Sequence, residues 1–322
     1  MSTLFRTYCA ALFVWISAVS LFASAPGAQE AEWRIHHEPG IEIQYRPRNS
    51  DELPRLIALV ERARRDFEAL ADTSLPITIN VVAAASTMEF SRLTAGMLPE
   101  WGAAVAIPSQ QLLIVAITST TKPLELVVPH EVSHVMLGAL ARDPVPRWFD
   151  EGLAMRLAGE WTIYDSFRLA RGALMKELHP LTRIDYVLSF HQDQAWLAYT
   201  QSFGAVSTLF EQMTDTERST FLRNLAHMPF DEALAVATNI RRTEFEANWL
   251  STARTRYALV ALADDLWLWA VILPGLFLIA LAVMWLRNRR TMKRWMREED
   301  DDDDDDDEPD EPLDERIAET YG

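Results

Sequence analysis

His130-Glu131-Val132-Ser133-His134, followed by Pro146-Arg147-Trp148-Phe149-Asp150-Glu151-Gly152-Leu153-Ala154, are the stretches on which the reading of this chain turns. On a helix, residues four apart share a face, so His130 and His134 can aim both imidazoles at one ion. Glu131 lies between them, placed to reach a water on that ion. A carboxylate from a second helix, Glu151, would complete a set of two His and one Glu. Three protein ligands leave one place open on a tetrahedral ion, which separates a reactive zinc site from a closed structural one. Val127, Val128, Val132, Val135, Met136 and Leu137 make the surrounding helix apolar, so both histidines should be buried and in need of partners.

Upstream of the motif the pattern is that of a sheet. Trp33–Tyr45 alternates about His37–Gly40 like a hairpin, and Pro76–Ala84 reads as a strand. Ala103–Ile107 and Gln111–Ile117 read as two strands joined at Pro108-Ser109-Gln110. Leu53–Leu70 repeats apolar residues at helical spacing, and a short helix is expected near Thr87–Leu93. From about Leu124 to Trp249 strand signals are few. The expected class is α+β: an N-terminal mixed β-sheet with helices, a mainly helical half, and one C-terminal transmembrane helix. Pro129 either opens the motif helix near its first turn or kinks a longer one.

Five segments follow from composition. Arg6, the apolar stretch Tyr8–Phe22 and the small residues Ala23-Ser24-Ala25 read as a signal peptide over residues 1–28. Residues 29–254 would form an exported domain, 255–265 a juxtamembrane linker, 266–286 a transmembrane helix, and 287–322 a basic stripe with an acidic tail. Leu266–Leu286 is about twenty-one uncharged residues, enough to cross a hydrocarbon core of ~30 Å. Trp267, Trp269 and Trp285 mark its ends, and Arg287, Arg289, Arg290, Lys293, Arg294 and Arg297 should stay cytoplasmic. The expected location is a single pass in the cytoplasmic (inner) membrane, touching lipid through 266–286, with the domain on the periplasmic, extracytoplasmic side.

The formal net charge of −17 sits mostly at one end, where sixteen acidic residues from Glu298 onward face a single arginine, Arg316. The run Asp300–Asp307 cannot bury apolar area and is expected to be disordered. It is a solvated tail or a docking site for a basic cytoplasmic partner or divalent cations. Outside the juxtamembrane stripe nothing looks like a nucleic-acid-binding surface, which would be basic, so no nucleic-acid partner is expected. Cys9, the one cysteine, falls in the signal peptide, so a cysteine nucleophile, a thiolate ligand and a disulfide are excluded from the exported domain.

Together the two motifs resemble those of the gluzincin zinc metallopeptidases, in particular the compact peptidase MA-like domain with its His-Glu-x-x-His and Pro-x-Trp-x-x-Glu-Gly-x-Ala signatures. The likeness covers roughly residues 40–250 and is specific at the motifs. The glycine and third histidine of the metzincin pattern are replaced by Leu137 and Leu140. The resemblance implies Zn2+ as cofactor, held by His130, His134 and Glu151, with Asp150 the rival for third ligand. It also implies Glu131 as general base and a peptide or protein outside the cytoplasm as substrate.

An oxyanion donor is implied as well. Ala198-Tyr199-Thr200-Gln201-Ser202-Phe203-Gly204-Ala205 is similar to the Pro-Tyr-Glu-Lys-Gly stretch of the aminopeptidase branch, which nominates Tyr199, with His191 and Tyr164 as alternatives. That branch grips the substrate amine with an acidic residue in a Gly-x-Met-Glu-Asn stretch. Here Gly102-Ala103-Ala104-Val105-Ala106 offers no carboxylate, which tilts the expectation toward an endopeptidase. Its substrate strand could pair with the edge of Gln111–Ile117. Two other expectations compete: a catalytically inactive zinc-domain scaffold signalling through its acidic cytoplasmic tail, and a zinc hydrolase of non-peptide amides or esters.

Overall fold

The computed structural model describes residues 32–96, 103–118, 122–184 and 192–303, the side chains of 192–194, 258–268 and 293–303 excepted. The expected signal peptide, Gly102, His191 and the tail beyond Asp303 lie outside the described residues. The chain divides into two units, Met1–Thr255 and Arg256–Gly322.

The first unit opens with a five-stranded mixed sheet: β1 (Arg34–Glu38), β2 (Ile41–Tyr45), β3 (Ile79–Ala84), β4 (Ala104–Ile107) and β5 (Leu112–Ala116). Their order is β1-β2-β3-β5-β4. β1 and β2 form the expected antiparallel hairpin, turning at Gly40 with φ +77°, a conformation that suits a residue without Cβ. β2, β3 and β5 run parallel, and β4 returns antiparallel to β5. The connection from β2 to β3 is helix α1 (Leu53–Ala71), which buries Leu56, Val60, Ala63, Phe67 and Ala71 at helical spacing.

Strand alternation sends Val82, Ala84, Leu112, Ile114 and Ala116 to one face, where they pack with Phe90 of α2 (Thr87–Leu93). Every residue of β5 is buried, as expected of an interior strand covered on both faces. This corrects one expectation: Gln111–Ile117 has no free edge, because β3 and β4 flank it. Among the described residues the edge strand on that side of the sheet is β4.

The helical half begins with α3 (Leu124–Leu140), which packs on β4, β5 and α1. Pro129 lies inside α3, so the motif helix is the longer of the two alternatives. There follow α4 (Arg147–Ala158), α5 (Ile163–Leu174), α6 (Leu181–Ile184), α7 (Gln192–Glu211), α8 (Asp215–Asn224), α9 (Phe230–Thr238) and α10 (Arg242–Asp303). Trp148 and Phe149 of α4 are the anchors of this half. Phe149 meets Phe210, Phe221 and Phe230 edge-on at 5.0–6.2 Å. Trp148 stacks on Phe245 and donates its Nε1–H to Glu246 at 2.8 Å. Such rings add aromatic contacts of about 0.5–1.5 kcal/mol each to their burial, and they fix which face α4 turns outward.

In the second unit, Trp269–Met292 of α10 is long and apolar enough to cross a membrane, with mean hydropathy 2.4. It includes Pro274 and ends three residues past Arg289. The backbone of 255–265 is helical, and the helix continues through Asp303 into the first residues of the acidic run expected to be disordered. Extending an existing helix needs no new nucleus, so charged residues can continue it where they could not start one.

Candidate metal centre

The site is built where α3 and α4 pack together. Their motif side chains point at one another because each helix is anchored on its far side, α3 by Val128, Val132 and Val135 and α4 by Trp148 and Phe149. His130 Nε2 lies 3.4 Å and His134 Nε2 3.5 Å from the same oxygen, Glu151 Oε2. The three potential ligand atoms all fall within 4.8 Å of one another. Glu151 is 2% exposed, yet Oε2 takes part in no hydrogen bond. Two ring nitrogens and a buried carboxylate oxygen thus crowd one point without satisfying each other. That arrangement fits a cation, and the N/N/O donor set suits a borderline metal such as zinc.

The outward atoms of the ligand residues are also accounted for. His134 donates Nδ1–H to Asp150 Oδ1. His130 Nδ1 lies 3.0 Å from Glu160 Oε1, close but off line for a hydrogen bond, and the other oxygen of Glu160 accepts from Lys122 at 3.0 Å. Glu151 Oε1 pairs with Arg147 four residues back on the same helix. A carboxylate behind each histidine holds the ring and directs its other nitrogen inward, the usual support of a metal-bound imidazole. Asp150, the rival third ligand, is occupied in this way by His134, and Glu151 is the carboxylate that faces both rings.

These contacts set the charges. Burial alone would lower the His130 pKa, but Glu151 and Glu160 hold it up at about 9. His134 is likewise raised, Asp150 and Glu151 overcoming its burial. Burial works against ionised Glu160 too, yet His130 and Lys122 bring its pKa to about 2. Burial opposes ionisation of Glu151, and Arg147 and His134 outweigh it, so its pKa is well below the ordinary range.

An ordinary histidine titrates near ~6.5, so a raised value means that the chelated protein keeps these protons at neutral pH. A metal must displace them. Affinity should therefore fall as pH is lowered, and titration calorimetry at neutral pH in buffers of different ionisation enthalpy should show proton release on binding. The histidines' contribution to the chelated fold is full below ~6.5 and is lost as pH rises through about 9. Binding without proton release would contradict this charge assignment.

Tyr199 of α7 belongs to the same electrostatic neighbourhood. Burial raises its pKa, Glu151 and Glu131 add to that, and the Arg147 guanidinium works the other way. The phenol is therefore neutral and can donate. Glu131 is half-buried on α3 and acts on both Arg147 and Tyr199. Tyr164, an alternative to Tyr199, is 75% exposed on α5. Sequence reasoning missed Glu160 and Arg147. Arg147 was legible as an i,i+4 partner of Glu151. Glu160 follows Gly159, whose left-handed φ of +68° ends α4 and turns the chain back, and nothing local shows that it returns to His130.

A family model, the Peptidase MA superfamily, matches residues 62–254. The chain belongs to the Peptidase MA superfamily. The matched span runs from α1 through all the residues of the centre and stops before the apolar stretch of α10. No curated protein matches the chain. The resemblance carried by the two motifs is thus borne out, and the peptidase MA fold here is the mixed sheet followed by helices.

The close approach of α4 and α7 is a feature of this superfamily member that the motif alone leaves unexplained. A Cβ on Gly152 would lie 2.2 Å from Ser202 O and 2.6 Å from Val206 Cγ2. Backbone cannot yield as a side-chain tip can, so Gly152→Ala must push α4 from α7 and move Glu151 relative to Tyr199. The alanine gains ~1 kcal/mol of helix propensity but overpacks at about 1–3 kcal/mol or more. A lower melting temperature is expected for Gly152→Ala, read by thermal melts in detergent, and an unchanged or higher one would contradict the tight crossing.

Proposed function

We propose that this chain is a membrane-anchored zinc metallopeptidase that acts as an endopeptidase outside the cytoplasm. The observation that carries the proposal is the convergence of His130 Nε2, His134 Nε2 and Glu151 Oε2. Glu131 sits on the same helix, and membership of the Peptidase MA superfamily adds to it. His130, His134 and Glu151 would hold the zinc ion, which when bound supplies Lewis acidity and a water of pKa near ~7. Glu131 takes the proton of the attacking water and returns it to the leaving amine. Tyr199, kept neutral by its surroundings, donates a hydrogen bond to the oxyanion as charge builds on the scissile carbonyl oxygen. Asp150 and Glu160 keep the imidazoles oriented, and Arg147 neutralises part of the Glu151 charge.

Endopeptidase action rests on the missing carboxylate in 102–106, where an aminopeptidase would hold a free amine. An extended substrate would pair with β4, the sheet edge beside α3. Anchoring rests on the apolar length of Trp269–Met292, and the arginines and lysine beyond Leu286 support a cytoplasmic C-terminus. The acidic tail is proposed to dock a basic cytoplasmic partner.

The test uses the full chain in detergent, with metal analysis and matched peptides either blocked at both ends or free at one. Bound zinc with internal cleavage, both lost in His134→Ala, is the expected result. Zinc-free protein after reconstitution, or cleavage confined to peptides with a free terminus, would overturn the reading.

A further inference from the structure

Helix α5 presents an unusual solvent face. Its buried side is ordinary: Asp165, Leu169, Ala170, Gly172 and Ala173. At 100° per residue, the remaining arc of α5 and its capping residue Met175 holds Ile163, Leu174, Phe167, Arg171, Tyr164, Met175 and Arg168 in unbroken succession. All seven are exposed, Ile163 at 66% and Tyr164 at 75%. A helix facing water normally shows charged residues of both signs on this side. Here five of the seven are large and apolar, and the two charges are both arginines. Arg168 leans on Trp196 and lies 3.6 Å from Asp165, at the border of the arc. Arg171 stands among the apolar side chains, and Lys176 follows directly.

Large apolar and aromatic side chains interleaved with arginine are the composition of a helix that lies in a membrane interface. There the rings and aliphatic chains enter the acyl boundary while the guanidinium groups reach anionic headgroups. The same chain carries an apolar stretch long enough to span a bilayer, and a tethered domain meets that surface at high effective concentration. We infer that the exposed face of α5, centred on Phe167, Arg171 and Tyr164, docks onto an anionic lipid surface. This rests on the reading of Trp269–Met292 as a span. Docking would hold the peptidase domain in one orientation on the bilayer, with polypeptide close to the membrane as its accessible substrate.

The experiment uses the full chain in vesicles of phosphatidylcholine and phosphatidylglycerol carrying doxyl-labelled lipid. Single cysteines in a Cys9→Ala background bear an environment-sensitive fluorophore at Tyr164→Cys on the face, Val236→Cys at an exposed position of α9, and Leu278→Cys in the apolar stretch. Doxyl lipid should quench 164 and 278 and spare 236. In phosphatidylcholine alone the quenching at 164 should fall, and Arg171→Gln should shift the docked-to-undocked ratio by roughly 5-fold. Quenching at 278 with none at 164 overturns the docking while leaving the anchor, and that result places the face in water or against protein. Equal quenching at 164 and 236 also overturns it, since contact would not be specific to α5. No quenching at 278 defeats the anchor reading itself.

Discussion

Replacing Glu131 by glutamine is expected to lower peptide hydrolysis by about 10²–10⁴-fold while the chain keeps its metal. The substitution preserves shape and removes only the carboxylate's capacity to accept a proton. Glu131 makes none of the contacts that hold His130, His134 or Glu151, so metal content should be unchanged. The two measurements separate chemistry from assembly: turnover of a blocked peptide, and metal per chain after dialysis. Activity surviving in Glu131→Gln would remove the general base from the proposal. Loss of metal together with activity would instead make Glu131 a structural member of the centre.

Glu151→Ala is expected to destabilise the fold beyond what chelation does. Glu151 is the counter-ion of Arg147 and faces both raised histidines from a fully buried position. Breaking a fully buried ion pair costs about 3–5 kcal/mol. Because the Arg147 side chain is 36% exposed and also lies 3.9 Å from Asp150, a smaller loss of about 1–3 kcal/mol is expected. The reference must be the chelated wild type, so that metal loss is common to both. Denaturant unfolding of the two proteins gives the difference. Equal stability would mean that Arg147 and the histidines find other partners, and that the carboxylate serves the metal alone. Arg147→Met in the Glu151→Ala background should recover part of the loss, since it removes a charge that has lost one of its counter-ions.

Much of this protein was legible because it is encoded over short distances. The hairpin about Gly40, the amphipathic α1 and the strand pair around Pro108 each follow from period and turn chemistry within a few residues. So does the spacing of His130 and His134, because four residues on a helix bring two side chains to one face whatever surrounds them. The apolar length of α10 is likewise a property of the segment itself.

Composition misled where it was asked about continuity: the acidic run looked unable to order, yet its first residues continue a helix begun some sixty residues earlier. The fate of Pro129 was open because a proline in a first turn and one inside a helix read alike. Packing of α3 over its whole length decided it.

Local order, then, specified the pieces: which segments coil, which extend, and which side chains carry the chemistry. Only the assembled fold decided that β5 is flanked on both sides and β4 is left at the edge. Only the fold put Asp150 against the outer nitrogen of His134, left Glu151 facing both rings, and brought Glu160 and Lys122 to His130. The reason is physical. Ladder order, ion pairing and the approach of Gly152 to Ser202 depend on residues tens of positions apart, and their cost or gain exists only once burial has removed water from between them.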